Sequence, residues 1–225
     1  MSSGNRMLLA EAERLGQWLV GLMSPACERI EIAGSVRRGM RLVSDIELLA
    51  IPRHEGVPPE QGSLFGDASS PAYLPLHDVI TASPLWPVRP GSNPPEPDYA
   101  WHTKRPAGAS KYWRLGCPLY AGSCLVDLFL CTPQTWGVLC VIRTGPAEFS
   151  RWFVTEWARR TKGGRVHQGR MHPPSRVHPP PVYGPASAPL DEPLSTPEER
   201  DAFRALGIPW IPPTDREDWR LRVGA

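Results

Sequence analysis

A chain of 225 residues with a formal charge of +2 is long enough to bury a sizeable core, in one large domain or two small ones. The near-balanced charge excludes a global positive field, so any contact with nucleic acid has to come from local basic patches. No basic-then-apolar leader and no membrane-length apolar run is legible, so the expected setting is intracellular and cytoplasmic, with no membrane partner. Five cysteines (Cys27, Cys117, Cys124, Cys131 and Cys140) read as reduced, buried thiols, and the seven-residue intervals among Cys117, Cys124 and Cys131 match no zinc spacing. Proline is the abnormal component: 28 residues, concentrated in 52 to 106 and 173 to 197, against an ordinary usage of about 5%.

In chain order, residues 7 to 23 place Leu8, Ala12, Leu15, Leu19 and Leu22 at steps of three and four, which predicts an amphipathic helix ended by Pro25. RIEIAG alternates as a short strand feeding a Gly34-Ser35 turn, and residues 45 to 51 form a second strand. From Pro52 to about Pro106 the pattern is that of a long loop with a short helix near 75 to 82. Arg89, His102, Lys104 and Arg105 lie in this loop and either touch nucleic acid or merely accompany a bridge between strands. Residues 111 to 115 and 124 to 130 read as paired strands. A helix containing Trp136, Leu139 and Cys140 follows, broken at Thr144-Gly145, and another amphipathic helix spans 147 to 160. Residues 165 to 194 are Pro-rich with strand candidates around Val166 and Val182. The last helix is expected to carry Thr196 as N-cap, Pro197 at N1, Glu199 at N3 and Gly207 as its stop.

The chemistry starts at residues 34 to 51, GSVRRGMRLVSDIELLAI. Asp45 and Glu47, two apart on a strand, share one face, where their mutual repulsion calls for a cation. Asp127 stands mid-strand among apolar residues in CLVDLFL, a costly place for a carboxylate unless it is paired or binds metal. Three carboxylates converging from two adjacent strands suit two Mg²⁺ ions, which prefer oxygen ligands and clamp the attacking and leaving oxygens of a phosphoryl transfer. Small residues at Gly34 and Ser35 let backbone N–H groups approach a phosphate, and Arg37 and Arg38 can grip its oxygens.

Gly34-Ser35-Val36-Arg37-Arg38-Gly39, four residues, then Ser44-Asp45-Ile46-Glu47 resembles the signature of the DNA polymerase beta-like (family X) nucleotidyltransferases. Residues 126 to 151 are similar to that family's third-aspartate strand, Thr-Gly break and helix, and residues 206 to 217, LGIPWIPPTDRE, resemble its C-terminal end. The resemblance implies an α/β (α+β) palm with a mixed sheet backed by helices and a small α+β thumb. The palm would occupy 1–144, with a Pro-rich insertion at about 52–106, and the thumb 145–225. It implies Asp45, Glu47 and Asp127 as ligands of two Mg²⁺ ions (Mn²⁺ substituting), with Asp127 nearest the primer 3′-hydroxyl. Ser35 and Arg38 would hold the dNTP phosphates, assisted by backbone at Gly34 and Ser44, and Ile142, Arg143, Thr144 and Gly145 would line the sugar and base pocket. A monomer acting on primer-template or gapped DNA is implied, in gap-filling repair.

The departures are specific. Glu47 stands where the family has aspartate, Ser44 where it has glycine, Ile142-Arg143 where it has an aromatic pair, and Leu125 where some relatives carry arginine. The motif begins at residue 34, so the expectation is a minimal form without the lyase domain of larger relatives. Arg151, Arg159, Arg160, Lys162 and Arg165 are the expected DNA contacts, against the alternative of a solvated helix face. Trp152 and Trp157 are expected in the core. His167, His172 and His178 recur at five and six residues, which excludes a helical metal pair. The rival readings are a nucleotidyltransferase with another acceptor (template-independent tailing, tRNA, a small molecule or a protein) and a non-catalytic DNA-end binding module.

Overall fold

A computed structural model describes residues 6–53, 75–92, 94–98, 112–118, 124–167, 169–174 and 192–223. Strand β1 (Met7–Leu8) leads into helix α1 (Leu9–Met23), strand β2 (Cys27–Ile32) and a single helical turn, α2 (Gly34–Arg37). Strands β3 (Leu42–Val43) and β4 (Asp45–Pro52) follow, then α3 (Pro75–Thr81), β5 (Trp86–Pro87), β6 (Tyr112–Cys117) and β7 (Cys124–Leu130). The remainder comprises α4 (Trp136–Thr144), α5 (Ala147–Arg160), the hairpin β8 (Arg165–His167) and β9 (Arg170–His172), α6 (Glu199–Leu206) and α7 (Trp219–Val223).

The fold is mixed α/β, with a five-stranded mixed sheet packed against helices. Contacts divide the chain into two compact units, Met1–Ile32 with Met40–Cys131, and Ala33–Gly39 with Thr132–Ala225. This division by contact follows a different line from the 1–144 and 145–225 limits expected of a palm and thumb.

The first unit holds the sheet, ordered β2-β4-β7-β6-β5, with β4 and β7 parallel and every other pair antiparallel. β4 and β7 are central and rich in Leu, Ile and Val because both faces of their inner halves are covered, the usual condition of a parallel pair. Ile46, Leu48, Ala50, Val126 and Leu128 are fully buried. α1 lies against β2 and β4, with Ala12 and Leu19 of the predicted stripe buried and the buried face shifted to take in Gly16 and Met23. Its buried residues are Ala12, Gly16, Leu19 and Met23, whereas Leu8 is exposed and precedes the helix. The reason is close approach: a side-chain carbon at Gly16 would stand 2.7 Å from Ile32 Cδ1, so the helix turns its small residues to the sheet.

Among its described residues, the Pro-rich segment departs at one point from its reading as mostly loop with a short helix. The helix near 75 to 82 is present as α3, but Trp86–Pro87 joins the sheet as its edge strand beside β6. A Cβ at Gly116 would fall 2.1 Å from the Trp86 ring, so the glycine makes the room that seats it. His102, Lys104, Arg105, His178 and the strand candidate at Val182 lie outside the described residues.

The second unit is built on an aromatic core. Phe149, Phe153 and Trp157 of α5 pack with Phe203 of α6, Trp219 of α7 and Met171 of β9. Trp152 packs on Trp219 in a tilted pair with centroids 4.4 Å apart, so both tryptophans of α5 serve packing, as expected. α6 ends on Gly207 in the left-handed conformation, as its sequence predicts. Its start does not match. Glu198 is the N-cap and Asp201 the third residue, with the Asp201 carboxylate accepting from Glu198 N–H at 2.9 Å. Thr196 is instead committed to the segment before α4, its N–H donating to the Gln134 carbonyl and its own carbonyl accepting from Gly137 N–H. All five cysteines are buried and unbridged, as read from sequence.

Candidate active site

The register of β4 and β7 sets Asp45 opposite Leu125 and Glu47 opposite Asp127. Paired residues of adjacent strands point to one side of a sheet, so Asp45, Glu47 and Asp127 share a face at the start of the two central strands. β6 extends the row, because Arg114 is the cross-strand partner of Asp127. A line of carboxylate, carboxylate and guanidinium therefore crosses three strands. Arg114 Nε meets Asp127 Oδ1 at 3.1 Å, and Tyr112 Oη donates to the same oxygen at 2.7 Å.

Asp127 is thus the paired carboxylate that its apolar strand demands. Asp45 is less well served. Burial, and then the charge of Asp127, push its carboxyl above the usual aspartate range, and Arg114 offsets this only in part. Neighbouring Cys124 has its thiol pushed up to about 12, first by burial and then by the proximity of Cys117 and Asp45. Asp45 therefore carries negative charge that its partly desolvated surroundings compensate only in part, a property that favours function over stability.

The carboxylate face is chemically suited to a hard divalent cation, since every donor is a carboxylate oxygen and a cation relieves the repulsion between Asp45 and Asp127. Among the described residues, no group of three His, Cys, Asp or Glu side chains is drawn close enough to hold an ion as placed. Closing the three carboxylates on one requires their partly buried side chains to move.

The Gly34-Ser35 turn belongs to the second unit. It is the helical turn α2, with Gly34 buried at φ 63°. Arg37 does not present a free guanidinium: its Nη1 donates to Thr144 Oγ1 at 2.9 Å and Glu199 Oε1 at 2.8 Å, and its Nη2 to Glu199 Oε2 at 3.1 Å. Glu199 also accepts from Arg216 at 2.7 Å and Trp210 Nε1 at 3.0 Å. Burial opposes ionisation of Glu199, yet the two arginines overcome it and hold the carboxyl below its ordinary range. Arg216, fully buried, lies over the rings of Phe149 and Phe203 at 5.4 and 5.3 Å.

Arg38 Nε donates to Glu217 at 2.8 Å and its Nη1 to the Thr144 carbonyl. Thr144 is fully buried with its hydroxyl taken by Arg37, so its side chain is not offered to a ligand. Gly145 is buried, Ser35 and Arg143 are half-buried, and Ser44 is exposed just before β4. Of the expected DNA contacts, Arg159 and Arg160 both bind Glu156, at 2.6 Å each, and these bonds hold the Glu156 carboxyl down at about 2. Arg151 and Lys162 are exposed and Arg165 half-buried.

Sequence reasoning missed Tyr112 and Arg114. The signal was present: they stand two apart in KYWRL, the same spacing that marked Asp45 and Glu47. It missed the Glu199 hub too, having assigned that carboxylate to a helix cap. Among the described residues no helix is long and apolar enough to cross a membrane. Compared with known proteins, the sequence matches no family model, and it matches no curated protein either.

Proposed function

We propose that this chain is a nucleotidyltransferase of the family X type, a DNA polymerase that adds a deoxynucleotide to a primer 3′-hydroxyl with release of pyrophosphate, in gap-filling repair. The observation that carries the reading is the parallel pairing of β4 with β7, which sets Glu47 opposite Asp127 and Asp45 on the same face. In this reading the carboxylate-bearing sheet belongs to the palm and the helices after residue 145 to the thumb. Asp45, Glu47 and Asp127 hold Mg²⁺ or Mn²⁺. Two such ions, when bound, stabilise charge on the attacking and leaving oxygens.

The chain's own residues do the rest. Asp127, whose Oδ1 is held by Tyr112 and Arg114, takes the proton of the primer hydroxyl at its other oxygen. Ser35 and Arg38 receive the triphosphate, Arg38 exchanging the exposed Glu217 carboxylate for phosphate oxygens. Arg37 acts behind them, fixing α2 to α4 and α6 through Thr144 and Glu199.

Primer extension tests the proposal: a one-nucleotide-gapped duplex and a recessed duplex, each dNTP singly, with Mg²⁺ or Mn²⁺. The expected outcome is incorporation of the complementary nucleotide alone, reduced on the order of 1,000-fold in Asp127→Ala. Incorporation of any nucleotide regardless of template identifies a tailing enzyme, and none on any DNA refutes the polymerase. One observation favours the second reading, transfer to a different acceptor. Arg159 and Arg160 are both committed to Glu156, which weakens the basic patch expected to grip duplex phosphates.

A further inference from the structure

Two side chains hold the third carboxylate by a single oxygen. Tyr112 and Arg114 reach Asp127 Oδ1 from the neighbouring strand at 2.7 and 3.1 Å. Arg114 is the direct cross-strand partner. Tyr112 reaches back from the next pair, its ring stacked on Phe129 with centroids 5.0 Å apart. Tyr112 and Arg114 are each about 41% exposed, and both line a cavity of about 440 Å³ shared with the Arg89-Pro90-Gly91-Ser92 turn. Ordering long, exposed side chains opposes their convergence. For Tyr112 the hydroxyl's bond to Asp127 adds to the stacking on Phe129, and for Arg114 the ion pair with Asp127 draws the guanidinium in.

The choice of oxygen matters. With Oδ1 accepting from Tyr112 Oη and ion-paired with the Arg114 guanidinium, rotation of the carboxylate is restrained, and Oδ2 accepts from no described residue. A carboxylate that must meet a proton or a cation at one defined point gains from such restraint, because small misplacements lower rates steeply. Arg114 also carries the charge that partly offsets the repulsion on Asp45. A phenol and a guanidinium on one strand thus serve the carboxylates of the other two.

We propose that Tyr112 and Arg114 are positioning residues for Asp127, saturating Oδ1 and presenting Oδ2 to the acceptor hydroxyl and its cation. The proposal rests on the nucleotidyl-transfer reading, and its test separates the two. Tyr112→Phe keeps the ring on Phe129 and removes only the hydroxyl, and Arg114→Ala is paired with the conservative Arg114→Lys.

With the wild type active, Tyr112→Phe should lower kcat about tenfold and Arg114→Ala more, with partial recovery in Arg114→Lys. The KM for nucleotide should change less than twofold, and the double variant should lose less than the product of the single losses, since both donors serve one oxygen. Unchanged kcat in both single variants, or a rise in KM alone, overturns the proposal. Absence of transfer by the wild type on every acceptor refutes the underlying reading instead. In that case Mn²⁺ titration followed by electron paramagnetic resonance decides. About tenfold weaker binding in Tyr112→Phe and Arg114→Ala sustains the positioning role. Equal or tighter binding, or none by the wild type, overturns it, the tighter result making Arg114 a competitor for the cation.

Discussion

Carboxylates meet arginines in both units of this chain, with opposite consequences. In the second unit, Glu199 is buried but accepts from Arg37, Arg216 and Trp210, and its charge is held below the ordinary range. In the first unit, Asp45 is half-buried beside Asp127, with only a share of Arg114, and its charge is resisted. The first arrangement pairs every charge it buries, although Arg216 Nη1 makes no hydrogen bond to a described residue. Its charges are answered, and removing any one strands another in a low-dielectric interior. The second leaves Asp45 under-compensated, a cost that an arriving cation would relieve. Charge alone therefore does not mark a site; charge left over after internal pairing does.

The largest expected effect lies in the Glu199 network. Glu199→Ala leaves Arg216 buried over two aromatic rings without its carboxylate, and a loss of about 3–5 kcal/mol is expected from urea unfolding. If Glu199→Ala unfolds at the wild-type midpoint, Glu199 carries no such weight and the contrast collapses.

Next is the answer to a cation. If the first-unit carboxylates bind a divalent ion, Mn²⁺ at about 100 times its dissociation constant should stabilise the wild type by about 2.7 kcal/mol. Asp127→Ala should show little of that gain. Thermal melts with and without Mn²⁺ measure this without any turnover, and an equal shift in both proteins would remove the cation from these residues.

Asp45 itself supplies a smaller effect of opposite sign to Glu199. Its folded pKa is raised, so the neutral form favours the fold: that stability is fully present below the unfolded pKa and lost as pH rises through the folded one. Asp45→Asn should therefore match the wild type at about pH 3 and exceed it by about 1 kcal/mol at neutral pH without metal, while losing activity. A neutral-pH stability below that of the wild type would mean that Asp45 is compensated after all.

The contrast also explains what was legible in the chain. β4 and β7 stand out because buried parallel strands are written as apolar runs, which makes Asp45, Glu47 and Asp127 conspicuous interruptions. Gly145 and Gly207 are legible because a residue of positive φ, which favours glycine, ends each helix. Local pattern could not say that β6 lies on the far side of β7, so the row from Glu47 through Asp127 to Arg114 stayed hidden although Tyr112 and Arg114 had the right spacing. The cap of α6 failed for a related reason. Thr196-Pro197-Glu198-Glu199 fits a capping box, but Glu199 is drawn inward by Arg37 and Arg216, which lie far away in sequence. Long-range charge pairing overrode a local signal. Trp86–Pro87 is too short for any periodicity and depends on the bare backbone of Gly116.

The smallest effect concerns Glu156, a third mode of pairing, at the solvent-facing end of α5. Arg159 and Arg160 hold its carboxyl at about 2, so its contribution is present above the ordinary glutamate range and lost as pH falls through about 2. The arginines are largely exposed, at 69% and 39% of their side chains, so solvent and salt screen the pair. Glu156→Gln should lower stability by less than about 1 kcal/mol, and the difference should shrink further in high salt. It should also return the Arg159 guanidinium to the solvent, while Arg160 keeps its bond to the Leu206 carbonyl. If α5 borders a nucleic-acid track, Glu156→Gln should bind duplex DNA more tightly at low salt and show a steeper dependence of log affinity on log salt. Fluorescence anisotropy of a labelled duplex measures both. Unchanged affinity and slope would assign Glu156, Arg159 and Arg160 to the helix alone, and would favour an acceptor that makes no use of this face.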